Sequence, residues 1–202
     1  MNGYHSVLSS ASFLRGLLDL DSRTRARVQA GRCPHCRGRL DSAPYPRKPR
    51  GIPQAFEEEF SVRQSLCCAA EGCRKRTTPP SVCFLWRRVY VAVSFILLSM
   101  LRHGVTEDRE QQLHRAFHGE FPADARTLSR WREWWQHILP VSPFWRGERG
   151  LLRTPVSPAD LPAGLVESFT GELADKLTSA LGLLSPLSTS SCRSCSGTAM
   201  AA

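Results

Sequence analysis

Cys33-Pro34-His35-Cys36-Arg37-Gly38 and, further along, Cys67-Cys68-Ala69-Ala70-Glu71-Gly72-Cys73 are the two stretches that decide how this chain folds. A Cys-x-x-Cys turn followed by glycine aims two sulfurs at one point, the glycine accommodating the awkward backbone that such a turn needs. In the second stretch a longer turn between Cys68 and Cys73 closes the same arrangement. Four thiolates around one point suit zinc, which accepts tetrahedral sulfur ligation and does no redox chemistry. A closed four-sulfur shell leaves no position for a catalytic water, so the spacing predicts one structural Zn2+ held by Cys33, Cys36, Cys68 and Cys73.

Neighbouring cysteines refine this reading. Adjacent residues in a strand point to opposite faces, so only one of Cys67 and Cys68 faces the metal. Cys68 is the assigned ligand and Cys67 its alternative. His35, between two ligands, is expected to point outward, and Cys83 reads as a core thiol. Cys192 and Cys195 have the spacing of half a site, but no second pair lies near them. A disulfide framework fits poorly with a basic chain that lacks a secretory signal, and a dithiol redox motif would need a βαβ context that the surrounding sequence does not offer.

Charge follows the cysteines. The net charge of +9 sits unevenly: residues 1–88 carry 16 Lys+Arg against 7 Asp+Glu, residues 89–153 carry 9 against 7, and residues 154–202 carry 2 against 4. A compact basic surface finds its natural partner in a polyanion, because neutralising phosphates releases counterions. Lys48, Lys75 and Lys176 are the only lysines, so the positive charge is nearly all arginine, a side chain suited to forked contacts. Arg47, Lys48 and Arg50 lie in the proline-rich run 45–51, and Arg74, Lys75 and Arg76 follow the last ligand directly. Both sets are candidates for gripping phosphates.

Outward from the cysteines, the organisation reads in four segments. Residues 1–31 are expected to form a short amphipathic helix and a basic arm (Arg23, Arg25, Arg27). Residues 32–86 form the zinc-ribbon module, with a possible strand over 58–68. Residues 87–150 form a helical module of three helices, about Val89–His103, Thr106–Phe117 and Asp124–Leu139, the breaks falling at Gly104, Gly119 and Pro140. Residues 151–202 are a Pro-rich segment with short helices near 165–169 and 172–184, then a tail that the composition predicts to be disordered from 185. The fold class is therefore α+β, a small cysteine ribbon followed by a three-helix, helix-turn-helix-like module with a disordered C-terminal tail.

In the third helix Leu128, Trp131, Trp135 and Ile138 or Leu139 recur at helical spacing and predict one apolar face. Trp134 is expected to point away from it. Arg126, Ser129 and Arg130 sit at the helix start, where a recognition helix presents side chains to bases in the major groove. The apolar run 89–101 covers 13 residues between arginines, short of the roughly 20 that span a bilayer. A cytoplasmic protein with no membrane partner and no small-molecule substrate is the expectation.

Taken together, Cys-Pro-His-Cys at 33–36, Ala-Pro-Tyr-Pro-Arg-Lys-Pro-Arg-Gly at 43–51, Cys-Cys…Gly-Cys-Arg-Lys-Arg-Thr-Thr-Pro-Pro-Ser at 67–81 and Thr-Leu-Ser-Arg-Trp-Arg-Glu-Trp-Trp at 127–135 resemble small bacterial proteins of mobile elements, with a zinc ribbon before a helix-turn-helix. The likeness covers roughly residues 30–150. It implies DNA binding in a transposition context, as a transposition-associated or regulatory factor. The alternative it leaves open is an interaction module docking onto a transposase or another DNA-processing partner, for which exposed Trp134 and Trp145 would be the surface. Enzymatic activity is not expected: the acids between Cys73 and Pro140 (Glu107, Asp108, Glu110, Glu120, Asp124, Glu133) form no evident metal-binding triad, and neither a phosphate-cradling glycine loop nor a nucleophile elbow is present.

Overall fold

A computed structural model of the chain describes residues 4–85, 90–101 and 125–189. It is a mixed helix and sheet protein with a cysteine cluster at its sheet. The described helices are α1 (Tyr4–Ser9), α2 (Ala11–Ala30), α3 (Ala92–Leu101), α4 (Ala125–Glu133), α5 (Pro143–Glu148), α6 (Ala163–Glu167) and α7 (Leu173–Leu184). The strands are β1 (Leu40–Ser42), β2 (Tyr45–Pro46), β3 (Val62–Arg63), β4 (Leu66–Cys68) and β5 (Arg76–Thr77). The expected second helix, 106–117, and the turns at Gly104 and Gly119 lie outside the described residues.

Ser10 separates the first two helices by capping α2, its hydroxyl accepting the Phe13 N–H at 3.2 Å. Leu14, Leu17 and Asp21, spaced three and four apart, form the buried face. No separate basic arm follows: α2 runs on through Arg23, Arg25 and Arg27 to Ala30, stopping at Gly31. Arginine is a good helix former, and the last turn is held from outside. Val28 packs against the small core of Cys33, Leu40, Leu66 and Cys68, and the Gln29 side-chain amide donates to the Leu40 carbonyl at 2.9 Å.

The strand expected over 58–68 is divided. A 3-10 turn at Gln54–Phe56 leads into Phe60 N–H bonded to the Phe56 carbonyl at 3.1 Å, which sends both rings into the helical core. The chain then forms β3 and β4 as separate strands, because in-out alternation fails where Ser65 and Leu66 are both buried. β1, β4 and β5 make a three-stranded antiparallel sheet in that order, with Leu40 opposite Cys68 and Cys67 opposite Arg76. β2 and β3 pair antiparallel beside it.

Helix α3 is buried all round over 91–98, which explains an apolar run without periodicity. Phe95 is its centre: its ring lies 4.9 Å from Trp131, 5.5 Å from Trp134 and 5.2 Å from Trp135 between centroids. Trp134 is thus not outward-facing but 2% exposed, and Trp145 is equally buried. A π-helical turn spans Trp134–Ile138, in which the Leu139 N–H reaches back five residues to the Trp134 carbonyl at 2.8 Å. The π turn begins at these two adjacent tryptophans, and both lie on a core face broader than the single Trp131/Trp135 stripe.

A buried polar knot joins the parts. The Asp21 carboxylate accepts from the Val82 N–H at 2.7 Å and from the Ser81 hydroxyl, which in turn accepts the N–H groups of Cys83 and Phe84. Buried Arg63 donates to the Pro79 carbonyl at 2.6 Å and to the Ser188 hydroxyl at 3.4 Å, and Ser188 also accepts the Ser81 N–H at 2.8 Å. Ser188 belongs to a 3-10 turn, Ser185–Ser188, whose Leu187 is buried. The expected disorder from 185 therefore does not begin there: an apolar side chain and a hydroxyl with two buried donors hold this turn in place. Cys192 and Cys195 fall outside the described residues.

Candidate metal centre and its basic surround

The four predicted ligands converge. The ligand atoms of Cys33, Cys36, Cys68 and Cys73 all lie within 4.8 Å of one another, the only such metal-competent group among the described residues. Cys33 Sγ is 3.8 Å from Cys73 Sγ, and Cys36 Sγ is 3.3 Å from Cys68 Sγ. These separations are far beyond a disulfide bond of about 2.05 Å. They approach the roughly 3.8 Å expected between sulfurs each about 2.3 Å from a tetrahedral zinc.

Each turn is built by its own backbone. In the first, the Cys33 N–H bonds the Gly38 carbonyl and the Arg37 N–H bonds the Cys33 carbonyl, both at 2.9 Å. In the second, Cys73 and Arg74 both donate to the Ala70 carbonyl, and the Cys68 N–H reaches the Lys75 carbonyl at 3.0 Å. The left-handed residue of the first turn is Arg37 (φ 62°), not the glycine. Gly38 is required for another reason: a Cβ there would stand 3.2 Å from Cys68 Sγ and 3.3 Å from Cys36 Sγ.

Other amides of the two turns reach the sulfurs. The N–H groups of His35, Gly38, Ala70 and Lys75 bond Cys33, Cys36, Cys68 and Cys73 respectively, each two residues beyond its cysteine. The His35 amide, opposed by burial and aided by the Cys36 amide and the neighbouring thiols, lowers Cys33 to about 7. Amide bonds from Gly38, Ala70 and Lys75 pull on the other three, yet burial and competing sulfurs raise Cys36, Cys68 and Cys73 above the usual thiol value. Crowding four thiols at one point opposes the build-up of negative charge there, and a cation between the sulfurs would relieve it. The donors fit one structural metal ion.

Alternation resolves the neighbouring cysteines. Cys68 is fully buried at the cluster, whereas Cys67 turns the other way and its Sγ lies 3.4 Å from the Arg74 carbonyl oxygen. His35 is exposed. Cys83 is a core thiol beside Asp21, pushed well above its ordinary value by burial.

The predicted cations divide into groups. Lys48, Arg50, Arg74 and Lys75 are exposed. Arg47 is half-buried, its guanidinium 5.3 Å from the Phe84 ring centre. Arg76 is committed to the fold: it donates to the Ala43 carbonyl at 2.7 Å and the Ser65 hydroxyl at 3.0 Å and lies over the Tyr45 ring. Of the third-helix residues, Arg126 and Ser129 are exposed and Arg130 is half-buried.

The connector carrying Arg47–Arg50 is tied to the helices. The Arg50 carbonyl accepts the Val91 N–H at 3.0 Å, and the Tyr90 ring meets Trp131 edge-on at 4.8 Å. Gly51 follows at φ 72°, its carbonyl receiving the Ser94 hydroxyl. A Cβ at Gly51 would meet Ser94 Cβ at 3.1 Å, so the close passage against α3 requires glycine on both counts.

Sequence reasoning missed the Asp21–Arg63–Ser188 knot, which no local spacing announces. It also missed the left-handed arginines, whose signal was available: Arg37 and Arg74 each directly follow the closing cysteine of a turn. Of the acids considered for catalysis, only Glu133 lies within the described residues, exposed and 3.9 Å from His137. No helix among the described residues is long and apolar enough to cross a membrane. No family model matches the chain, and neither the curated proteins nor the solved structures include one that is significantly similar.

Proposed function

We propose that the chain is a non-enzymatic, zinc-dependent DNA-binding protein, with a transposition-associated or regulatory role. The observation that carries the reading is the convergence of two cysteine turns, each ending Cys-Arg, on one four-sulfur cluster within the most basic part of the chain. Zinc at that point supplies rigidity in place of burial and fixes the cations that flank it. The resemblance to mobile-element proteins supplies the transposition setting and nothing else does.

Arg74 and Lys75 on the metal-anchored turn and Lys48 and Arg50 on the connector grip phosphates in this account. Arg126, Ser129 and Arg130 at the start of α4 read bases. Arg47 and Arg76 leave the phosphate set, since the Arg47 guanidinium lies over the Phe84 ring and that of Arg76 holds the loop between β1 and β2. The rival, a module docking onto a transposase, would have to use a surface other than Trp134 and Trp145, both of which are buried.

Salt-titrated binding to matched and scrambled duplexes tests the division of labour. Arg126→Ala should cost about 1–3 kcal/mol at one preferred base, whereas Lys75→Ala should weaken all sequences alike and flatten the salt dependence. Equal loss on every duplex from both variants would remove the base-reading role of α4. A zinc-loaded protein with no affinity for duplex DNA would refute the function.

A further inference from the structure

Resting on the DNA-binding reading, we infer that the phosphate grip of Arg74 extends over a metal-assembled face in which Arg32 and Arg37, together with Arg23 and Arg27 of α2, clasp the phosphate backbone beside it. Its first support is conformational. Among the described residues, the non-glycine residues with positive φ are Arg32 (63°), Arg37 (62°) and Arg74 (47°). All three are arginines, and each is the immediate chain neighbour of a cluster cysteine: Cys33, Cys36 and Cys73 respectively.

Glycine and asparagine occupy left-handed backbone at the least cost, and a long side chain there is unfavourable. Three such positions filled by arginine mean that local stability does not explain the residue type. Strain of this kind collects where function uses it, held by a surrounding structure that overdetermines it. Here the four-cysteine cluster does the holding, and what the arginine adds over asparagine is an exposed charge.

Charge density is the second support. Residues 22–42 and 66–77 contain nine Lys+Arg and two Asp+Glu, a net of +7 within a chain of +9. One of those acids, Asp41, is already neutralised by Arg39 at 3.0 Å. Arg23 and Arg27, one turn apart and so on one side of α2, are exposed. Because Val28 and Gln29 lock the end of that helix onto the ribbon, these two cations move with the cluster arginines as one body.

Chemistry selects nucleic acid over a membrane surface. A helix that lies on lipid needs an exposed apolar face beside its cations. The apolar face of α2 is instead buried, and the exposed large hydrophobics of the described residues are Val62, Val141 and Leu151, none of them on these segments. Arginine forks match phosphate oxygens in pairs.

The test is full-length, zinc-loaded protein titrated with salt against a duplex, comparing wild type with Arg32→Asn/Arg37→Asn/Arg74→Asn. The variant should keep its zinc and its thermal midpoint or raise it, yet bind every duplex more weakly. Losing three phosphate contacts should shallow the log–log salt slope by about 2.7, so that the fall in affinity between about 50 and 200 mM salt shrinks roughly 40-fold. If the triple variant does not fold, Arg23→Gln/Arg27→Gln replaces it, with a slope shallower by about 1.8. Unchanged affinity and slope in a folded variant would overturn this face and, for the triple variant, take Arg74 out of the phosphate set, while DNA binding through Lys48, Arg50 and Lys75 stands. A triple-variant slope shallower by only about 0.9 would leave Arg74 as the single contact and also overturn the face. No duplex binding by the wild type would overturn both.

Discussion

The sheet that carries the cysteine cluster, proposed above as a zinc ribbon, and the helical body hold themselves together by different means. The ribbon core contains Cys33, Leu40, Leu66 and Cys68, with Val28 and Cys73 against it. The body has a continuous core running from Val7 to Leu187. Burying two leucines contributes about 3–6 kcal/mol, whereas ordering each backbone residue costs about 1–2 kcal/mol. The stretches 32–42 and 66–77 are not held by their own apolar contacts, whereas Ile52, Phe56 and Phe60 between them are buried in the body. Those two stretches need a cross-link at the sulfurs and an anchor to the body, while the body needs neither.

Removing the metal should separate the two regions most sharply. Structural zinc contributes on the order of 10–16 kcal/mol of apparent binding energy in small sulfur sites. A strong chelator should therefore abolish amide protection over 33–42 and 66–77. The near-ultraviolet signals of Trp131, Trp134, Trp135 and Trp145, all in the body, should persist. Simultaneous collapse of both sets would break the comparison. The reciprocal change is Trp135→Ala, which removes the ring stacked on Phe95 and should cost about 3–5 kcal/mol of body stability in denaturant titrations. Metal content should stay at the wild-type level.

Asp21→Asn addresses the joint between the regions. The amide would face the Ser81 hydroxyl, already engaged by two backbone N–H groups, with a second donor, and a loss of about 1–3 kcal/mol is expected. The acid also gives the joint a pH dependence. Burial raises Asp21 above the ordinary carboxylate value, against the Ser81 and Val82 hydrogen bonds and the Arg63 charge. The native state then holds its proton more tightly than the unfolded chain. The associated stability is fully present below the unfolded value and is lost as pH rises through the raised folded value. Stability measured from acid toward neutral pH should show this falling component in the wild type and not in Asp21→Asn.

Gly38→Ala is the smallest of these changes. Its methyl would press on two sulfurs that a metal would hold still. We expect a cost of about 1–3 kcal/mol, read as weaker retention of zinc against a chelator series, with body stability unchanged. An alanine variant with wild-type retention would mean that the sulfurs yield and the cluster is looser than its geometry suggests.

The four-cysteine cluster was legible in the sequence because each of its halves is local. Two short turns and strand alternation suffice to choose Cys33, Cys36, Cys68 and Cys73 and to turn Cys67 away. The α3 core helix was equally legible from its composition. What escaped was set by contacts between distant residues. Arg76 reads as a loop cation until its partners, Ala43 and Ser65, are brought beside it by sheet pairing. Ser188 reads as tail until Arg63 and Ser81 bury it. Trp134 was misplaced because the apolar face was drawn as one narrow stripe, whereas the Phe95 ring receives Trp131, Trp134 and Trp135 together.

Zinc content in a pair of variants tests the central claim most directly. Elemental analysis of purified full-length protein should find one zinc per chain in wild type and in Cys67→Ser, and none retained in Cys68→Ser. A Cys68→Ser protein that keeps stoichiometric zinc, or a folded wild type that contains none, would contradict the metal-organised ribbon on which the functional account stands.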